Sequence, residues 1–472
     1  MKVHSILSIL DKKELSKLKK YLNSEFFCSD PKQSKMLSLI IKASKFSTEI
    51  DKSQIWQDLY PQVPYDDVKM RLLLSRLFQH IENFIQMEHL LKDNFNLGQL
   101  KLYRHKSKDK LFLQVLNEQK TQLTDSTLRN ELHFEREYSL GLEEYDYLVT
   151  KKRQGEFNLK NISDSIEISY AIKKLRHCCR VLQIHSIYKL ETPFPFIEEI
   201  LKHIELNKWY EIPVLGFYYF NYQSIINPAN TEHFNQCVNI YNNYEDQFEE
   251  EERRYAYIDI LNYCIRKLNE GSEQYYDTIF NLYNRGLTKG FLIDQGKLSR
   301  FTYRNIAEIG ILMKEYNWVL NFLEAYKKNL DKQYQESFYL LEKARVLSDQ
   351  RQYNDAIALL LNLNFSDPLI ELSTRLERIR IFFEMNEIEI CQYHVESMEL
   401  FLRRKKFLGY HTAYYKNFMS YTRKLLKPEN NDIKHWKQLR QQIEKEEKIT
   451  GRKWLIEKFE AKLAHSLAAK TN

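Results

Sequence analysis

Apolar residues recur at three- and four-residue spacing along nearly the whole chain, and only 11 Gly and 9 Pro in 472 residues interrupt them. That period sets apolar side chains on one face of a helix, and no convincing run of strict alternation asks for a strand. So few turn formers mean long elements joined by short connections. With 43% hydrophobic and 14% aromatic residues the chain has ample material for a core, and the expected fold class is all-α.

Start signals agree with the period. Asp11 with Glu14 is a capping-box pattern ahead of Leu15, Leu18, Tyr21 and Leu22. After Pro64, Asp66 and Asp67 open a long helix whose Met70, Leu73, Leu74, Leu77, Phe78, Ile81, Phe84 and Ile85 share one broad face. From about residue 125 the helical patterns alternate with breaks at Gly155, Pro193 with Pro195, Pro213, Pro228, Gly271, Gly290, Gly296, Pro368 and Pro428. These breaks suit pairs of helices.

The best-formed pair runs from Ser337 to Pro368. Ala344 takes a small position in the first helix, with apolar Leu347 one turn later. Tyr353 starts the second helix, Ala356 is its small position, Leu360 and Leu363 follow on the inner face, and Pro368 closes the unit. Antiparallel helices approach closely only where Ala or Gly removes bulk at their crossing. This pattern resembles a tetratricopeptide repeat, with Lys343 departing from the Leu the family prefers. Ala307 lies 37 residues before Ala344, and Ile379 lies 35 after it. The resemblance implies an α-solenoid of antiparallel helix pairs over residues 111–426, between a helical domain at 1–110 and capping helices at 427–472.

Charge divides the chain in the same way. Residues 1–110 carry 20 Lys and Arg against 13 Asp and Glu, residues 111–399 carry 33 against 44, and residues 400–472 carry 18 against 7. Basic ends flank an acidic middle. Nucleic-acid contact, docking of an end onto the middle of a neighbour, and plain solvation all satisfy that asymmetry. The strongest cluster is Arg403, Arg404, Lys405 and Lys406, a candidate patch for an acidic partner or a solvated helix end. The acidic run from Glu245 to Glu252 reads as an exposed helix end and the next helix start.

No phosphate loop, dinucleotide fingerprint, nucleophile elbow or zinc-protease motif occurs, so no catalytic residue and no cofactor is assigned. His177, Cys178, Cys179 and His185 are the densest set of metal-ligand types, yet no second pair completes a four-ligand site. The six cysteines include no CxxC, which suits reduced thiols in a cytoplasm. No stretch approaches the roughly 18 apolar residues of a membrane span.

Residues 36–85 resemble the three-helix part of response-regulator winged-helix domains, with a second helix around Ser53 to Pro61 and a third carrying Leu74-Ser75-Arg76-Leu77. That resemblance implies a third helix in a DNA major groove. Lys69, Arg76, Gln79 and Asn83 fall opposite its apolar stripe, where base and phosphate contacts must originate. The family's β-hairpin wing has no counterpart, because residues 86–110 read as more helix. The chain as a whole is similar to helical cytoplasmic proteins of Bacteroidetes-type bacteria, through a Tyr-Leu-x-Ser-x-Phe-Phe element at Tyr21 to Phe27. The expectation is therefore a cytoplasmic, non-catalytic scaffold that binds a protein or peptide on its repeats. A DNA-binding regulator using the N-terminal helices is the alternative, and self-association stands open for both.

Overall fold

The computed structural model describes residues 2–44, 51–92, 95–151, 157–188, 193–363, 368–404, 411–427, 433–446 and 448–471. It is all-α, as the apolar period requires, with 23 α-helices among the described residues. One two-stranded antiparallel ribbon, β1 (Ile293–Asp294) and β2 (Lys297–Leu298), is the exception. Its turn residues Gln295 and Gly296 both have positive φ, 48° and 79°, the twist that a two-residue hairpin demands. Contacts gather the chain into two compact units, Met1–Thr127 with Glu131–Tyr170, and Leu128–Asn130 with Ala171–Asn472.

The first unit holds α1 (Lys2–Leu7), α2 (Lys12–Leu22), α3 (Pro31–Ser44), α4 (Lys52–Leu59), α5 (Asp67–Lys92), α6 (Leu97–His105), α7 (Asp109–Asp125), α8 (Glu131–Lys151) and the start of α9 (Leu159–Tyr188). The capping box closes at α2, where Glu14 N–H donates to Asp11 Oδ1 at 2.7 Å and Asp11 N–H donates to Glu14 Oε2 at 3.0 Å. At α5 the Asp66 carboxylate accepts from the Lys69 N–H at 3.0 Å. The predicted stripe of α5, from Met70 to Phe84, is buried against α1, α2 and α3, with Phe78 and Ile85 half-buried at its margin. Each fully buried apolar side chain contributes about 1.5–3 kcal/mol. Trp56 of α4 is buried too, and its indole N–H donates to the Val63 carbonyl at 3.0 Å, tying the Pro61–Pro64 loop to the core. Residue 110, where the basic segment was expected to end, lies inside α7, which shares a small core with α6 and α8.

The second unit continues with α10 (Ile197–Asn207), α11 (Pro213–Ile226), α12 (Thr231–Tyr244), α13 (Glu250–Asn269), α14 (Tyr276–Thr288), α15 (Arg300–Leu312), α16 (Tyr316–Tyr326), α17 (Gln335–Asp349), α18 (Tyr353–Leu361), α19 (Pro368–Glu384), α20 (Ile388–Arg404), α21 (His411–Leu426), α22 (Ile433–Lys445) and α23 (Arg452–Thr471). Sequence neighbours pair, α11 with α12, α15 with α16, α17 with α18, α19 with α20 and α22 with α23. Alternate helices α15, α17 and α19 also pack side by side. Segment 427–472 does not stand apart, since Trp436, Leu455 and Phe459 share one core with α19, α20 and α21.

One turn type ends the first helix of several pairs. A residue with positive φ stands at Gly271, Lys314, Arg351 and Asn386, and the following N–H bonds five residues back, at 3.0, 2.9, 2.8 and 2.9 Å. This closes the helix carbonyls by a Schellman motif. Ala307, Ala344 and Ile379 each precede such a turn residue by seven positions. Ala344, Ala356 and Leu360 are fully buried, Leu363 is buried, and Leu347 and Tyr353 are half-buried. Pro368 does not close its unit; it is the first residue of α19, where its missing N–H costs no hydrogen bond.

Small residues set close approaches at other crossings. A methyl on Gly310 would overlap Val319 of α16, and one on Gly216 would overlap the backbone carbonyl oxygen of Tyr210. Because backbone cannot rotate away, Gly216→Ala is expected to lower stability by about 1–3 kcal/mol. Gly98 lies inside α6, where an added methyl would meet nothing within 4 Å, and should instead gain roughly 0.5–1 kcal/mol as Ala. Paired denaturant melts check both signs.

Candidate interaction surface

Polar side chains inside the second unit concentrate on odd-numbered helices. Across α9, α11 and α13, Arg176 Nη1 and the Tyr218 hydroxyl both donate to Glu252 Oε1 at 3.0 Å. Two turns further along, Gln183 and Asn221 donate their amides to the two oxygens of Asp259 at 2.7 and 2.9 Å. Arg176 and Gln183 are seven apart on α9, as are Glu252 and Asp259 on α13, so each helix supplies one stripe to both rungs. Burial pushes the Asp259 carboxyl up to about 6, while the two amides and Arg180 work in the opposite direction.

The charged row on α15, α17 and α19 is denser. Arg345 lies 3.1 Å from Glu342 and 3.8 Å from Glu377, and Arg380 lies 3.6 Å from Glu377. Glu342 is fully buried and Glu377 nearly so. Burial pushes the Glu342 carboxyl up, with Arg345 and Arg304 pulling it back. Burial also opposes the Arg345 charge, but Glu342 and Glu377 hold that guanidinium above its usual range. Arg304 reaches the Ser373 hydroxyl at 3.4 Å. Asn305 and Glu308 of α15 are exposed, so the row opens to solvent on that side. Arg345 Nε, Arg380 Nε and Glu377 Oε2 make no hydrogen bond, although their ion-pair partners stand close enough for one intervening polar atom.

The residues singled out for DNA contact do share a face. Lys69, Arg76, Gln79 and Asn83 are all exposed on α5. Lys69 is 3.5 Å from Asp66, and the exposed Val68 and Leu72 flank the face with apolar surface. No hairpin wing follows, since α5 runs to Lys92, α6 starts at Leu97 and no strand precedes Ile293 among the described residues. Arg403 and Arg404 end α20 and are exposed; Lys405 and Lys406 lie outside the described residues.

Other expectations divide in the same way. The Glu245 to Glu252 run is not simply solvated. Glu245 pairs with Arg285 and Lys289 at 2.6 Å, and Glu252 is buried against Arg176. Cys178 and Cys179 are buried, and burial raises both thiols. Among the described residues no group of three His, Cys, Asp or Glu side chains is placed to hold a metal ion. The two polar rows escaped sequence reasoning, and their only signal was charged or amide residues recurring within otherwise apolar stripes.

Two outcomes follow from burial. The raised Asp259 means that the folded chain takes up a proton near pH 6 while the unfolded chain does so nearer 4, so its contribution to stability improves as pH falls from about 7 to 5. Asp259→Asn should remove that slope and stabilise the chain at pH 7 by on the order of 1 kcal/mol, after discounting for partial exposure, as read from urea melts across pH. Arg345→Met takes the nearest counter-charge from the fully buried Glu342 and should cost about 3–5 kcal/mol. Adding Glu342→Leu should recover part of that loss in the same assay.

No protein-family model, curated protein or solved structure matches the chain, and among the described residues no helix is long and apolar enough to cross a membrane.

Proposed function

We propose that this chain is a non-catalytic interaction scaffold whose second unit is a tetratricopeptide-like solenoid binding a protein or peptide segment along the odd-numbered helices. The observation that carries the reading is the row from Arg304 and Glu308 through Glu342 and Arg345 to Glu377 and Arg380. It runs buried charge through three successive alternate helices and reaches solvent at Asn305 and Glu308. The recurrence of one turn type at Lys314, Arg351 and Asn386, 37 and 35 residues apart, supports a repeating unit of helix-pair length. A peptide laid along the exposed Asn305 and Glu308 would meet the open edge of this row, and complementary charge would set its register.

A second reading, DNA regulation through α5, is favoured by one observation, the exposure of Lys69, Arg76, Gln79 and Asn83 on one face. Two cations are few for phosphate binding, and this reading ranks lower. Affinity purification of the tagged full chain from its host, with nuclease, tests both. A protein partner that survives nuclease and is lost with Glu308→Arg is the expected result. Recovery of defined DNA fragments without nuclease, lost with Lys69→Glu and Arg76→Glu together, would overturn the scaffold in favour of the regulator.

A further inference from the structure

The charged row does not end at Arg380. Glu384 lies one turn further along the same stripe of α19, and there the chain supplies its own ligand from the start of α23. The Trp454 indole N–H donates to Glu384 Oε1 at 2.7 Å, and Lys458 Nζ donates to Glu384 Oε2 at 2.7 Å. The Trp454 ring meets Phe383 edge-on at 5.2 Å and packs by Phe418 at 5.8 Å, with the Arg380 guanidinium 5.8 Å from its centroid. Just before it, Gly451 has φ +65°, and a side chain there would meet Arg380 Nη2 at 2.6 Å. A side chain there would have to push that guanidinium aside, in a left-handed conformation that glycine adopts freely. Lys453 reaches the other way, 3.6 Å from Glu273 and 5.7 Å from the centre of the Tyr276 ring, at the start of α14.

These contacts differ from those of an ordinary packed helix. Two cations and an indole N–H meet two carboxylates and an aromatic ring on elements more than a hundred residues apart in sequence for α14 and about seventy for α19. The partners are complementary in charge, with basic residues on α23 facing acidic residues of the middle segment. Exposed and half-buried ion pairs of this kind add little stability and act mainly on specificity.

Building on the scaffold reading above, we propose that Glu384, Glu273 and Tyr276, beside the Arg380 end of the row, form a recognition site for a helix start of the pattern Gly-basic-basic-Trp-x-x-x-basic. The chain's own Gly451–Lys458 holds this site in the free protein. A partner segment of the same chemistry competes with it, and the C-terminal helix then works as a latch over one end of the row.

The probe is a fluorescent peptide with the sequence of residues 448–462, added to the full-length protein. Wild-type protein should bind it weakly, because the site is held in cis. Lys453→Glu with Lys458→Glu removes the two cationic contacts while keeping Trp454, Leu455 and Phe459, and should bind the peptide at least ten times more tightly. Adding Glu384→Lys should abolish that gain. A double variant that melts cooperatively yet gains no affinity overturns the latch, as does a gain that survives Glu384→Lys. Should the double variant fail to fold, Lys453→Ala with Lys458→Ala is scored by the same two outcomes. Loss of the host partner with Glu308→Arg reads the scaffold separately, so failure of the latch and failure of the scaffold are distinguishable.

Discussion

Taking a charged carboxylate out of water is costly unless a cation comes with it, and that constraint organises the second unit. Glu342 has no exposed surface, and Glu377 almost none. Desolvating such groups costs several kcal/mol each, and attraction offsets the cost only when the counter-charge is close and held. Arg345 serves both carboxylates, one on its own helix and one on the next. Rotating α17 by one residue would carry Arg345 away from Glu377, so the row sets the rotation of α17 against α19. Hydrophobic burial makes the helices stack; the ion pairs choose the register in which they do so.

The same logic runs through α9, α11 and α13 with weaker groups. Amides from Gln183 and Asn221 replace guanidinium against Asp259, and amides compensate a carboxylate less well than a full charge. Burial wins at Asp259, whose carboxyl is pushed up to about 6, and it wins at the fully buried Glu342 as well. At Glu245 burial again opposes ionisation, but Lys289 and Arg285 prevail and hold the carboxyl below its usual range. The described buried polar side chains on helices of the second unit lie on odd-numbered ones, while even-numbered partners bury apolar residues such as Phe322, Ala356 and Met398.

Helix pairs also need a way to reverse direction, and here the chain uses left-handed residues that are mostly not glycine. Lys314, Arg351 and Asn386 adopt φ near +60°, at a cost of roughly 1–2 kcal/mol for a residue with a Cβ. The hydrogen bond from the next N–H five residues back recovers part of that cost. These reversals were invisible to a search for Gly and Pro. Gly296, by contrast, lies in the turn of the short hairpin and Gly290 follows the end of α14 ahead of it, and Pro368 opens a helix rather than ending one.

The sequence by itself determined that the chain is helical, where α2 and α5 begin, and which faces are buried, because helical period and capping depend on residues within a turn or two. It also pointed to Ala344 and Ala356 as buried positions, since a small residue in an apolar stripe has a local reason to be small. Only the tertiary structure decided that Arg345 reaches across to Glu377 beside Arg380, that Glu252 leaves solvent for Arg176, and that Trp454 and Lys458 meet on Glu384. Charge pairing joins residues tens of positions apart, and any carboxylate on a helix face has many cations within its sequence reach. The stacking of helices selects one of them, by bringing it within about 4 Å where the dielectric is low.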